Sequence, residues 1–189
     1  MPNSCRIALK EWAVVVDALG RGRQTILLRK GGIREKGGAF EPEHRDFLLY
    51  PTAFHQNPEE LIPDARPDLA RIQAQPRDAA VIRFEIRATV EAVFRIEDPA
   101  RLEALAPFHI LAPETVAARF RYRKPGLHVL LLRVCRLPAV VTVPERKAYE
   151  GCVSWVDLGE ELRTEKGTPV LDDEAFARMA KGVKDALGI

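Results

Sequence analysis

Residues 81–96 alternate between apolar and polar side chains more regularly than any other part of the sequence. Every even-numbered position from Ile82 to Ile96 is apolar, and arginine, glutamate or threonine fills most of the positions between them. Because successive side chains of a β-strand point to opposite faces, this period of two predicts a strand with one buried face and one solvent face. A strand of this length exceeds the usual roughly 3–10 residues, so we expect it to be bent or bulged.

Other strands are predicted around this one. Residues 127–137 are apolar on both faces, which is typical of a central strand. Residues 25–29 and 46–50 read as shorter strands that can pair as a long-looped hairpin, and residues 149–158 read as a turn into a last short strand.

Helices are predicted at both chain ends. Residues 5–19 carry apolar side chains at helical spacing, although the valines at 14–16 favour a strand, and Asp172 is placed to cap a C-terminal helix. Short helices are expected after Asn57, at 99–105 and at 113–120, and the proline-rich residues 63–77 predict a surface loop.

The composition bounds the class of protein. The chain has 189 residues, of which 47% are hydrophobic, so it can bury a core. We predict one α+β domain over residues 1–189: a bent, mostly antiparallel sheet or partly open barrel, with helices at both chain ends. The sequence shows no secretory leader and no apolar run near the roughly 20 residues that cross a bilayer, so we expect a cytoplasmic protein without a membrane partner.

Two basic stretches are the main functional signal. Residues 21–38 carry six basic side chains against one acid, with four glycines at 31, 32, 37 and 38, and residues 119–136 carry six basic side chains and no acid. Glycines let backbone N–H groups approach an anion, and arginine forks match phosphate oxygens two at a time. The pattern predicts a nucleic-acid-binding module with RNA or DNA as its partner; the bland alternative is that these side chains are solvated beside turns. The predicted anion-binding residues are Arg29, Lys30, Arg34, Lys36, Arg119, Arg121, Arg123 and Arg133.

A small phosphate-ester or nucleotide-processing enzyme is the alternative function. Its candidate catalytic residues are Glu35, His55 and His109, which must converge within about 10 Å around a pocket to act together. A metal-dependent nuclease is less favoured, because the near match formed by Asp46 and the Glu85–Arg87 triplet has arginine where lysine is expected. A third reading is an interaction subunit of a larger system.

No metal site or cofactor is assigned. The four histidines show no ligand spacing, and Cys5, Cys135 and Cys152 are widely separated, with no C-x-x-C pair. Walker and G-x-G-x-x-G patterns are absent from the sequence, as is a nucleophile elbow around Cys152 and Ser154.

Arg133 conflicts with its surroundings, because it lies in the middle of the predicted central strand. A buried guanidinium needs a carboxylate or an anionic ligand. We therefore expect Arg133 to be mostly buried, with Glu35, Asp46 or Asp157 as its partner, or to lie in an anion-binding pocket.

Five separated blocks of sequence carry a family resemblance. They are ALKEWAVVVDALGRGRQTILLRKGGIRE, FLLYPTAFHQ, FHIL, LLLRVCRLP and YEGCVSWVDL. Together they resemble the bacterial family catalogued as domain of unknown function 1802, over roughly residues 8–158, with residues 159–189 outside it as a helical extension. The resemblance implies a shared fold unit and transfers no chemistry. It gives weight to the residues of its motifs, which are Arg29, Lys30, Glu35, His55, Gln56, His109, Arg133, Cys152, Ser154 and Trp155.

Overall fold

The computed structural model describes residues 3–30, 33–36, 39–53, 56–151, 153–165 and 167–189, with the backbone alone for 33–36 and 39–41. The strands are β1 (Ser4–Trp12), β2 (Ile26–Arg29), β3 (Ile33–Lys36), β4 (Ala39–Pro42), β5 (Asp46–Thr52), β6 (Val81–Ile96), β7 (Leu127–Pro144), β8 (Trp155–Arg163) and β9 (Thr168–Pro169). The helices are α1 (Ala13–Gly20), α2 (Arg66–Gln73), α3 (Ala100–Ala104), α4 (Pro113–Arg121) and α5 (Asp173–Leu187), with short 3-10 turns at Pro58–Glu60, Pro63–Ala65, Ala106–Phe108 and Lys147–Tyr149.

The described strands form a mixed seven-stranded sheet that does not close on itself. Its order is β2-β7-β6-β5-β1-β8, with β9 also paired to β7, and β3 and β4 form a separate two-stranded hairpin. Neighbours are antiparallel except β1 and β5, which are parallel. The α+β class and the bent, mostly antiparallel, open sheet are thus confirmed.

Residues 81–96 form the single strand β6, as predicted. Because its pairing with β7 is irregular, its apolar side chains pack in two different core clusters. The register shifts between Phe84 and Ile86 and again between Val90 and Ala92. Phe84 packs in a smaller cluster on one face, while Ile86 and Val90 pack in the main cluster on the other. A strand with a plain alternation would put all these side chains on one face.

The N-terminal helix predicted over residues 5–19 is wrong in its first half, which forms β1. Ala8 and Leu9 are buried in different clusters, so this segment has apolar side chains on both faces. Hydrogen bonding to β5 on one edge and β8 on the other outweighs the helical spacing. The helix begins only at Ala13, where the amide of Val14 donates to the Gln56 side chain at 3.1 Å.

Two further local predictions are wrong. Strand β2 pairs with β7, and β5 lies between β1 and β6, so β2 and β5 do not form a hairpin. The predicted surface loop contains α2, whose one buried apolar residue, Leu69, joins the main core. With only one buried apolar side chain, α2 lacks the repeated apolar positions at helical spacing that would predict a helix from the sequence.

The C-terminal helix is confirmed. Asp172 accepts a hydrogen bond from the amide of Ala175 at 2.7 Å, and Phe176, Val183 and Leu187 form the buried stripe of α5. Among the described residues, no helix is long and apolar enough to span a membrane.

Candidate anion-binding site

The two basic stretches meet where β2 ends against the last turn of α4. Arg29 is the last residue of β2, and Arg119 lies in the final turn of α4, with its Nη1 3.4 Å from the carbonyl of Leu28. Lys30 donates from Nζ to the carbonyl oxygens of Phe120 at 3.0 Å and Gly126 at 2.6 Å. Residues separated by about 90 positions in the chain therefore share one corner of the fold.

Arg29 is already held by a buried carboxylate at this corner. Its Nη1 lies 2.9 Å from Glu11 Oε2 and 3.1 Å from the carbonyl of Lys10. The Glu11 side chain is 5% exposed, and its other oxygen accepts the amide hydrogen of Trp12. Arg29 therefore positions β2 against β1. The sequence does not point to Glu11, because the predicted helix over 5–19 hides its place at the end of a strand.

Arg119, like Lys30, has no acid partner among the described residues of this corner. Its guanidinium lies 4.5 Å from the centre of the Trp12 ring, in a cation–π contact. Burial lowers its pKa, the charge of Glu11 raises it and the charge of Arg29 lowers it. No carboxylate of the described residues forms an ion pair with Arg119, so a half-buried fork of donors remains available to an anion.

His109 is buried in the loop before α4 and is influenced by the Arg119 charge. Its Nδ1 accepts the amide hydrogen of Leu111 at 3.2 Å. Burial, followed by the charge of Arg119, lowers the pKa of His109 to about 4. The ring is thus neutral at physiological pH, with its hydrogen on Nε2, a nitrogen that has no hydrogen-bond partner among the described residues.

The exposed part of the site is residues 121–124, which we call the basic turn. Arg121, Arg123 and Lys124 are exposed, and no carboxylate in the described part of the chain pairs with any of them. Tyr122 is 56% exposed, and the Arg123 guanidinium lies 5.1 Å from its ring. Arg123 has a φ of 60°, which reverses the chain tightly and presents these side chains together.

Arg133 lies away from this corner and forms ion pairs with other residues. Its Nη1 is 2.7 Å from Asp173 Oδ1, its Nε is 3.6 Å from Glu91 Oε1, and its guanidinium covers the ring of Phe176 at 4.1 Å. The central position of β7 is confirmed, but the expected partners Glu35, Asp46 and Asp157 are wrong. The partners come from a neighbouring strand and from α5, which docks across β7.

The remaining predicted site residues are only partly described. Arg34, Glu35 and Lys36 lie on β3, whose backbone is described, and His55 and Cys152 fall outside the described residues. The convergence of Glu35, His55 and His109 stays a prediction. Within the described part of the chain, no group of three or more His, Cys, Asp or Glu side chains is placed to hold a metal ion.

Two further residues of the family motifs, Gln56 and Trp155, also have structural contacts. Gln56 accepts from the first turn of α1, and Trp155 packs edge-on against Phe47 with ring centres 5.0 Å apart.

Comparison with known proteins gives a family and two distant structures. The model of the domain of unknown function DUF1802 matches residues 8–182, so the match continues beyond residue 158 into α5. A mutant form of ASCH from Zymomonas mobilis is similar at 12% identity and a TM-score of 0.46, covering 96% of this chain and 98% of that one. ASCH from Zymomonas mobilis itself is similar at 12% identity and a TM-score of 0.45, covering 93% of both chains. No curated protein matches the chain.

Proposed function

Because the chain belongs to the family of domains of unknown function DUF1802, whose description names no activity, we propose its function from its own surface. We propose that it is a nucleic-acid-binding module. The basic turn contacts phosphates, Tyr122 stacks on a base, and the start of the β3–β4 hairpin adds further cations beside it.

The observation that carries this proposal is an exposed aromatic ring between unpaired cations. Single-stranded nucleic acid is held by cations that track its phosphates and by aromatic rings on which its bases stack. The basic turn supplies both within four residues, and no described acid competes for its charges. Since duplex bases are already stacked, we expect single strands to bind more tightly than duplexes.

Lys30 supports the proposal by its position. Its contacts to the carbonyls of Phe120 and Gly126 fix Lys30, three residues before the start of β3, against the end of α4. Arg34 and Lys36 therefore follow within a few residues of a point that is tied to the basic turn. Arg119, beneath the turn, has donors to offer a phosphate that approaches between them.

Fluorescence anisotropy with labelled single-stranded and duplex RNA and DNA, repeated across a salt series, tests this function. The variant R121A/R123A/K124A is compared with R178A/K181A/K184A, which removes the same number of cations from α5. We expect the first variant to flatten the slope of log affinity against log salt by about 2, since each phosphate contact contributes about 0.7 for a single strand. We expect Tyr122→Ala to weaken binding about 5- to 150-fold at unchanged slope, because a stacked base contributes about 1–3 kcal/mol.

Two results would refute the proposal. One is the absence of binding to any of these nucleic acids at low salt. The other is an equal loss in the α5 variant, which would show that only the overall charge matters.

The alternative enzyme gains little from His109. A general acid or base near neutral pH needs a pKa close to 7, whereas His109 stays neutral down to about pH 4. Its Nδ1 lone pair is also occupied by the Leu111 amide. This environment supports a buried hydrogen-bond donor beside Arg119 rather than proton transfer.

A further inference from the structure

A cleft of about 640 Å³ lies between α1, α2 and the start of β6. Its apolar surface includes Val16 from α1, Ile72 from α2 and Ile86 from β6. Val16 and Ile72 are half-buried, so they leave apolar surface open to the cleft. Its volume falls within the roughly 300–1,000 Å³ that is typical of small-molecule sites.

Ion pairs hold the wall of this cleft in place. Arg71 on α2 lies 2.8 Å from Asp17 Oδ2 on α1 and 3.3 Å from Asp68 Oδ1 on its own helix. Arg21 lies 3.0 Å from the same Asp17 oxygen. These contacts join α1 to α2 and neutralise the two arginines, so the cleft is shaped before any ligand arrives.

Three other arginines line the cleft without carboxylate partners in the described part of the chain. Arg77 and Arg83 are exposed, and Arg136 donates from Nη2 to the carbonyl of Gly20 at 2.7 Å. Asp78 and Glu85 also line the cleft, and the Asp78 carboxylate accepts the amide hydrogen of Ala80. The unpaired arginines outnumber these two acids, which leaves a local excess of positive charge at the cleft.

We propose that this cleft binds a small organic anion. The apolar or aromatic body of the ligand lies on Val16, Ile72 and Ile86, and its phosphate or carboxylate group is held by Arg83 together with Arg77 and Arg136. The site shares no residue with the basic turn, so it is independent of the proposed nucleic-acid binding.

Anilinonaphthalene sulfonate is the first probe, because it combines an aromatic body with one anionic group and fluoresces when buried. The titration uses the full chain and the variants Arg83→Gln, Arg77→Gln and Ile72→Trp, with Arg178→Gln on α5 as the control. Arg77 and Arg83 are both exposed, so their loss does not remove core packing, and urea midpoints confirm that each variant is folded. We expect saturable binding to one site, weakened about tenfold by Arg83→Gln, since a charge-assisted hydrogen bond of about 1.4 kcal/mol corresponds to that factor.

Competition identifies the anionic group. Displacement of the probe by AMP is compared with displacement by adenosine to test a phosphate, and decanoate is compared with decanol to test a carboxylate. The proposal is supported if a charged molecule displaces the probe and its neutral counterpart does not. Equal displacement by the neutral molecules overturns it, as does displacement by neither charged molecule. Identical probe binding in Ile72→Trp, Arg83→Gln and the control also overturns it. Displacement by single-stranded RNA at lower concentration than by AMP would replace the small-molecule site with a path for a strand.

Discussion

Asp46 and Arg87 form the ion pair whose two halves we expect to differ most in their effect on stability. The Arg87 side chain is 1% exposed, with Nη2 3.4 Å from Asp46 Oδ1 and Nη1 2.9 Å from Thr164 Oγ1. The Asp46 side chain is 32% exposed and also accepts a hydrogen bond from Thr89 at 2.6 Å. The cation is therefore buried, whereas the anion is partly solvated.

The magnitudes follow from what each substitution leaves behind. Asp46→Asn leaves a buried guanidinium without its carboxylate, and removing one partner of a buried pair costs about 3–5 kcal/mol. We expect about 3 kcal/mol, since the asparagine amide oxygen still accepts a neutral hydrogen bond. Arg87→Met leaves a carboxylate that keeps Thr89 and water, so we expect a loss of about 1–2 kcal/mol. In the Arg87→Met background, Asp46→Asn is expected to cost less than about 1 kcal/mol.

Urea unfolding followed by circular dichroism measures all four proteins of this double-mutant cycle. Unchanged m-values are needed for the comparison, because the free energies assume the same surface exposed on unfolding. Two results would contradict this expectation: a larger loss of stability in Arg87→Met than in Asp46→Asn, or two losses that add without coupling. Additive losses would mean that Asp46 does not offset the buried cation, and a larger Arg87→Met loss would mean that the packing of Arg87 and its hydrogen bond to Thr164 outweigh the ion pair.

Two further predictions concern titrating groups. The pKa of His109 is about 6.5 in the unfolded chain and about 4 in the folded one, so the free energy of unfolding falls by about 3 kcal/mol as the pH drops from 6.5 to 4. In urea titrations, His109→Asn should flatten this pH dependence and leave the part due to His128, whose pKa burial also lowers. An unchanged pH dependence in His109→Asn would contradict the prediction. Burial raises the pKa of both Cys5 and Cys135, which keeps the two thiols protonated and unreactive near neutral pH. A Cys152→Ser variant keeps only these two thiols, and we expect a thiol reagent to label it no faster than the protein unfolds. Rapid labelling of this variant would contradict the prediction.

The alternation in residues 81–96 was sufficient to predict β6 but not to predict where its charges lie. Arg87 falls on the expected solvent face, yet it is fully buried, because the register shift between Phe84 and Ile86 turns the following residues over. At this shift, Phe84 pairs with Val141 and Ile86 with Arg136, so the intervening residues of β7, which include Pro138, have no partner in the β6 register. These residues lie about 50 positions further along the chain. A period within one strand carries no information about the register of its partner.

The candidate site was predictable in its cations and not in their partners. Arg29, Lys30 and Arg119 are named from the sequence, but their convergence is not, and neither is the acid that neutralises Arg29, which is Glu11 from the first strand. Arg133 is likewise neutralised by α5, which is predicted as a helix without any indication of where it docks. Pairings between distant segments are set by packing, which the local pattern does not encode.

The ion pairs formed within the fold decide which basic residues are left to bind an external anion. Arg29, Arg71 and Arg133 each join two elements through a carboxylate, and their charge is used within the fold. Among the cations that no described acid pairs with, two groups are the basis of the proposals above, one in the basic turn and one in the cleft beside α2. The net charge of +2 conceals both, because the paired residues cancel while these local excesses remain. An extended polyanion is the partner we propose for the basic turn and a small anion the one we propose for the cleft, so the two local excesses of positive charge are assigned ligands of different size.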